Sequence, residues 1–368
     1  MIGKVLMTTD AVGGVWNYSM DLCRHFVANG TEVALAAMGR PLSEDQATES
    51  GDIKGLQVFE SNFKLEWMED PWDDIRSAGG WLMGISSAFR PDVVHLNSYS
   101  FGTLSWDAPT VVVCHSCVCS WWESVRKEPI PRQWDFYRSE VRQGLRAADM
   151  VVAPTSAMGE ASERLYGPFK KLKVIPNGRD FAQYVPSEDK EPIVFAAGRF
   201  WDKAKNIEAL RQAAPFIGWP IYVAGEMSGE SDCEVHALGQ LTRADMAGWL
   251  SRASIYALPA RYEPFGLSIL EAALSGCALV LGDIPSLREN WSGCALFVDP
   301  ESPNELAMAI QLLIDDPLAR SALSKNARLR ASSFGTAKCG RAYLETYREV
   351  IRGGDSLVDD YARAASCR

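Results

Sequence analysis

Short, unbroken apolar runs alternate with helical stretches along almost the whole chain, and this restricts the fold more than any other feature. Lys4–Thr8, Val33–Ala37, Val93–Leu96, Thr110–Cys114, Met150–Ala153 and Leu172–Ile175 read as strands. Their residues are continuously apolar rather than alternating, as in strands buried on both faces of a parallel sheet. Between the first two lies a helix from about Val15 to Asn29, with Leu22, Cys23, Phe26 and Val27 along one face and Gly30 placed to end it. Strands that alternate with helices imply βαβ units and a doubly wound sheet.

The pattern then repeats. Pro176-Asn177-Gly178 signals a turn, and residues 183–192 are polar with two prolines, which suits a linker. Beyond it Ile193–Ala197, Ile221–Val223, Ser254–Ala257, Ala278–Leu281 and Leu296–Val298 read as strands, with helices near Asn206–Ala214, Arg243–Ser251 and Leu267–Leu274. A length of 368 residues suits two such domains. We expect 1–182 and 183–349, facing across a cleft, with ligands outside the carboxyl ends of the strands.

Charge narrows the partners. The net charge is −10, which argues against nucleic acid. Residues 124–182 stand apart, with 11 Lys+Arg against 7 Asp+Glu. This is either a solvated helix surface or a patch for an anionic acceptor or lipid headgroups. The nine cysteines are scattered and odd in number, which suits free thiols. The apolar run after Met1 is too short for a signal-peptide core, and no run spans a membrane. The expectation is a cytoplasmic protein, with a peripheral membrane contact through 124–182 left open.

Three loops carry chemistry. Glu263 and Glu271 flank a loop-to-helix junction, with the amides of Phe265, Gly266 and Leu267 at the helix N-terminus. That arrangement can bind an anion or hydroxyls, and Glu271 can accept from a vicinal diol. Alternatively, Glu263 caps the helix and Glu271 is an exposed helical residue. Gly198-Arg199, followed by Lys205-Asn206, puts a guanidinium and an ammonium before a helix with Asn206 as N-cap. A diphosphate needs such a pair, though ordinary surface charge reads the same. Thr9-Asp10-Ala11-Val12-Gly13-Gly14 lacks the dinucleotide-binding spacing. Its two glycines let backbone approach an anion or sugar, or simply make a tight turn.

With Val94-His95-Leu96-Asn97, Val113-Cys114-His115-Ser116, Ala153-Pro154-Thr155-Ser156 and Val174-Ile175-Pro176-Asn177-Gly178, these pieces run in an order that resembles glycosyltransferase family 4, which has the GT-B fold. The resemblance implies a retaining enzyme that moves a sugar from a nucleoside-diphosphate sugar to an acceptor hydroxyl without a metal. Arg199 and Lys205 would neutralise the diphosphate. Glu271 would hold the ribose, and Glu263 would sit against donor-sugar hydroxyls. The amides of Phe265, Gly266 and Leu267 would touch sugar or phosphate, and Gly198, Gly13 and Gly14 would line the donor. The base would lie near Gly239 to Leu241. His115 would stand by the reacting centre, and Asp10, Gly14, Asn97 and Trp121 near a glycan, lipid or small-molecule acceptor. The last helix, from about 350 to 366, would cross back to the first domain. Other readings are a nucleotide-sugar 2-epimerase of the same fold, or a two-lobed binding protein without activity. A zinc site at Cys114-His115-Ser116-Cys117-Val118-Cys119 lacks a second ligand cluster. The aromatic pair Trp121-Trp122 and the helically spaced Arg132, Arg138, Arg142 and Arg146 mark where a lipid acceptor would be sought.

Overall fold

Every strand pairing among the described residues is parallel, in two separate sheets. The computed structural model describes residues 2–226 and 235–366, with side chains up to residue 353. The first sheet is built from β1 (Lys4–Asp10), β2 (Glu32–Met38), β3 (Leu56–Glu60), β4 (Val93–Leu96), β5 (Thr110–Val113), β6 (Met150–Ala153) and β7 (Leu172–Val174). Its order is β3-β2-β1-β4-β5-β6-β7. The second holds β8 (Glu191–Ala197), β9 (Ile221–Ala224), β10 (His236–Gly239), β11 (Ala253–Leu258), β12 (Ala278–Gly282) and β13 (Ala295–Val298), in the order β10-β9-β8-β11-β12-β13.

The continuous apolar runs have a direct packing cause. Consecutive residues of a strand point to opposite faces, and helices cover both faces here. Phe195, Tyr256 and Leu279 belong to one buried cluster, while their neighbours Val194, Ile255 and Val280 belong to another. Both faces therefore demand apolar side chains. The strands missed by the sequence reading, β3 and β10, are edge strands that pair on one side only and hold no fully buried residue. Without two-sided burial they carry no apolar run.

Two units follow from the contacts. One comprises Met1–Ser120, Pro129–Pro176 and Thr336–Arg368, and the other Trp121–Glu128 and Asn177–Gly335. The division falls at Pro176, ahead of the polar stretch 183–192, which lies within the second unit and leads into β8. The final helix, Thr336–Ser366, belongs to the first unit from its start rather than from about 350. At the second unit's limits the Arg179 N–H donates to the Phe334 carbonyl (3.0 Å), and Arg179 forms an isolated bridge with Gly335. In the first unit the final helix packs on helix Gly14–Ala28, through Tyr347 against Phe26 and Tyr343 against Tyr18.

In each sheet one adjacent pair of strands has connections leading away to opposite sides: β1 and β4 in the first, β8 and β11 in the second. Ligands of doubly wound sheets bind outside the carboxyl ends at such a point. The segments there are Asp10–Gly14 and Asn97 in one unit, and Gly198–Lys205 and Pro259–Leu267 in the other.

Candidate functional site

In the second unit, the loops after β8 and β11 are joined by backbone and by charge. The Arg261 N–H donates to the Ala204 carbonyl (2.9 Å). Lys205 Nζ lies 2.5 Å from Glu263 Oε2, with both side chains largely buried. Lys205 is the last residue of a short 3₁₀ turn, Lys203–Lys205, capped by Asp202, which accepts from the Ala204 N–H. Its stem runs over Gly198, where a Cβ would come within 3.3 Å of Lys205 Cγ. Arg199, by contrast, makes no ion pair among the described residues; its guanidinium stands 5.3 Å from the centre of the Trp201 ring. The site thus holds one cation already paired and one unpaired.

Both bland alternatives for the two glutamates fail on this geometry. Glu263 does not cap helix Leu267–Leu274, whose N-cap is Gly266 at φ +87° with no side-chain cap. That conformation and Ile269, 2.6 Å from where a Cβ would stand, reserve the position for glycine. Glu271 is 7% exposed and pairs with Arg179, itself 2% exposed. Phe265 is buried edge-on against Phe334, and Leu241 lies half-buried just before Thr242, the N-cap of helix Arg243–Arg252. Asn206 departs from the sequence reading. It occupies the N-cap position at φ +57°, but its side-chain amide donates to the carbonyls of Pro259 and Pro300 instead of capping. It therefore staples the loop after β8 to the loops after β11 and β13.

In the first unit Asp10 Oδ1 accepts from the N–H groups of Val12 and Gly13 (3.1 and 2.9 Å), which folds the Gly13-Gly14 loop back on β1. Asn97 Nδ2 donates to the Thr8 carbonyl (2.6 Å) and to Ser19 Oγ (3.4 Å). A carbonyl only accepts, so Asn97 Oδ1 must face the imidazoles of His95 and His115 (3.1 and 2.8 Å). Both Nε2 atoms therefore carry the hydrogen. His95 Nδ1 then accepts from Tyr347 Oη at 2.6 Å, and His115 Nδ1 keeps its lone pair. Tyr18 packs edge-on against His115, with centroids 4.5 Å apart. Burial pushes the His95 imidazole down to about 4. Burial, reinforced by His95, pushes His115 down to about 3. Both rings are neutral at ordinary pH.

A linkage follows. An unfolded histidine titrates near 6.5, so protons bind the unfolded chain first as the pH falls. The neutral rings stabilise the fold fully above that value, and the contribution is lost from 6.5 downward. The melting temperature should therefore decline between about pH 6.5 and 5, where most carboxylates remain charged, and His95→Gln should flatten the decline. An unaltered slope in that variant would refute the linkage.

The basic segment is mostly occupied with holding structure. Arg142 and Arg146 donate to the Leu165 and Gly167 carbonyls at the end of helix Ser156–Tyr166. Lys170 donates to the Ala147 carbonyl, and Lys171 and Lys173 both pair with Glu349. Lys127 and Arg261 share Glu301, whose carboxyl is held down at about 2, chiefly by Arg261. Trp121 Nε1 donates to Asp202 Oδ1 (2.8 Å), the oxygen that also caps the turn containing Lys205. No described helix is long and apolar enough to cross a membrane. Cys114, Cys117 and Cys119 are buried thiols, and no described cluster of His, Cys, Asp or Glu is arranged to hold a metal ion.

Two participants escaped the sequence reading. Gly225, after β9, has φ +136°, and a Cβ there would stand 1.8 Å from the Gly198 carbonyl oxygen. Arg179 had only the turn signal beside it. A glycine directly after a strand was the available cue for the first; the second had none, because its partner lies 92 residues away.

Two parallel doubly wound units, each presenting its functional loops at a switch point, define the GT-B class of fold. Two family models match in succession: Glycosyltransferase Family 4 over residues 12–183, and Glycosyl transferases group 1 over residues 191–316. The chain belongs to glycosyltransferase family 4 and is a glycosyltransferase. It is 26% identical to a glycogen synthase of Mycobacterium tuberculosis over 306 residues, covering 74% of this chain and 72% of that one. It is 25% identical to a D-inositol 3-phosphate glycosyltransferase of Pseudarthrobacter chlorophenolicus over 302 residues, 71% of each. Among solved structures, sucrose-phosphate synthase from Thermosynechococcus elongatus superposes with a TM-score of 0.81 at 19% identity, over 95% of this chain and all of that one. Anabaena HepE, solved with UDP and glucose, gives 0.74 at 16% identity, over 94% of this chain and all of that one.

Proposed function

We propose that this glycosyltransferase moves a hexosyl group from a nucleoside-diphosphate sugar to an acceptor hydroxyl with retention of anomeric configuration and without a metal. One observation carries the reading. The switch point of the second sheet gathers Arg199, Lys205, Glu263 and the uncapped helix start at Gly266, while Glu271 stands on the same helix.

Arg199 and Lys205 meet the diphosphate and stabilise the charge that grows on the leaving oxygen. As phosphate takes Lys205, Glu263 is released to accept from donor-sugar hydroxyls. The Phe265, Gly266 and Leu267 amides, with Gly198, complete the phosphate and sugar contacts. Glu271 accepts from the ribose, and backbone near Gly239 to Leu241 reads the base. In the first unit the Gly13-Gly14 loop, shaped by Asp10, receives donor and acceptor. Asn97 uses its whole side chain to orient His115, so its part is positioning. His115 offers Nδ1 as an acceptor to a hydroxyl at the reacting centre. Trp121 borders the acceptor through its ring.

The reaction breaks the bond from the anomeric carbon to phosphate oxygen and forms one to the acceptor oxygen on the same face. The acceptor proton passes to the departing phosphate, so no protein base is required. The acceptor is a glycan, a lipid or a small molecule.

A panel of UDP-, GDP- and ADP-sugars, followed by nucleotide release with and without EDTA, tests this. HepE was solved with UDP-glucose, so UDP-sugars come first. One base class should support release, and EDTA should leave its rate unchanged. Absence of binding and release with every donor would remove the reading, and a rate abolished by EDTA would remove the metal-free part.

A further inference from the structure

We propose that Arg179 is a positioning residue for donor binding, orienting the Glu271 carboxylate so that one oxygen is offered to the ribose. This rests on the reading of Glu271 given above and adds a residue to it.

The geometry is specific. Arg179 Nε and Nη2 both approach Glu271 Oε1, each at 2.7 Å. Oε2 makes no hydrogen bond to the described residues. The guanidinium thus takes one oxygen of the carboxylate and leaves the other with its lone pairs, as a donor-site hydroxyl requires. Both side chains are nine-tenths or more buried. Without the guanidinium, a carboxylate in this place would have no partner and would turn toward any donor within reach. Arg179 is itself fixed from behind by its backbone N–H on the Phe334 carbonyl and by the bridge to Gly335. Glu271 is fixed by helix Leu267–Leu274. Two rigid supports therefore set the direction of Oε2. A lysine offers a single point donor and would hold Oε1 less firmly than two guanidinium N–H groups that converge on it.

The test separates positioning from general support. The full chain is titrated calorimetrically with UDP, GDP and ADP, and with the 2′-deoxy and 3′-deoxy forms of whichever binds. In the unaltered protein, loss of the hydroxyl held by Glu271 should weaken binding about tenfold to a hundredfold. In Arg179→Met the ribonucleotide should weaken by a similar factor while the deoxy form binds as before, so the discrimination disappears. Arg179→Lys should fall between. Equal weakening of both forms in Arg179→Met, or full discrimination retained in either variant, would overturn the proposal. Should Arg179→Met fail to fold, the lysine variant decides on the same criterion. An unaltered protein that binds ribo- and deoxyribonucleotides alike would refute the ribose role of Glu271 itself, and the role of Arg179 with it.

Discussion

Replacing Lys205 with alanine should lower kcat by about a hundredfold to a thousandfold, the usual loss when a charged donor to a developing oxyanion is removed. The structure adds a second consequence. Lys205 pairs with Glu263 at 2.5 Å in a largely buried setting, so the variant leaves a carboxylate without its cation. Stability should fall as well, by roughly 1–3 kcal/mol. The two effects can be separated. Glu263→Gln in the same background removes the stranded charge and should recover most of the melting temperature, while kcat stays low. Recovery of kcat along with stability would mean that Lys205 supports the fold and not the leaving group.

Gly225→Ala should be nearly as damaging, although the residue carries no side chain. Its φ of +136° strains any L-residue, and the new methyl would sit 1.8 Å from the Gly198 carbonyl oxygen. The backbone leading into Arg199 must then move. We expect a loss of about 2–4 kcal/mol from strain and overpacking together, with a fall in donor affinity. Gly248→Ala is the control. Gly248 lies inside helix Arg243–Arg252 with open space where its Cβ would stand, so alanine there should stabilise by about 0.5–1 kcal/mol. If both variants melted alike, the close approach between the Gly198 and Gly225 backbones would not be what holds the loop.

The central strands were legible because burial on both faces writes itself as unbroken apolar sequence. Val93–Leu96, Met150–Ala153 and helix Leu267–Leu274 lie where the residues alone place them. The edge strands Leu56–Glu60 and His236–Gly239 were not, because partial exposure removes that signal. The residues at the candidate site were visible as side-chain types in particular loops. Their pairings were not. Nothing local to Arg179 points to Glu271, and nothing near Trp121 points to Asp202, because these contacts depend on how distant strands line up. Asn206 shows a different limit. Its type and position fit an N-cap, but the adjacent loop carbonyls of Pro259 and Pro300 compete for its amide and win. The basic stretch at 124–182 reads from sequence as either a solvated helix surface or a patch for a partner. Much of its charge instead closes helix ends and pairs with Glu349 and Glu301.

The larger segment of the second unit runs from Asn177 to Gly335, and beside its ends Arg179 and Gly335 are bridge partners. A segment whose two ends meet behaves, in evolutionary terms, as an insert. It can be exchanged without leaving a gap for its host to span. On the donor-site reading proposed above, a lineage would acquire a new donor preference by replacing what lies between residues 179 and 335, provided that joint and the contacts of Trp121 and Lys127 with Asp202 and Glu301 are kept.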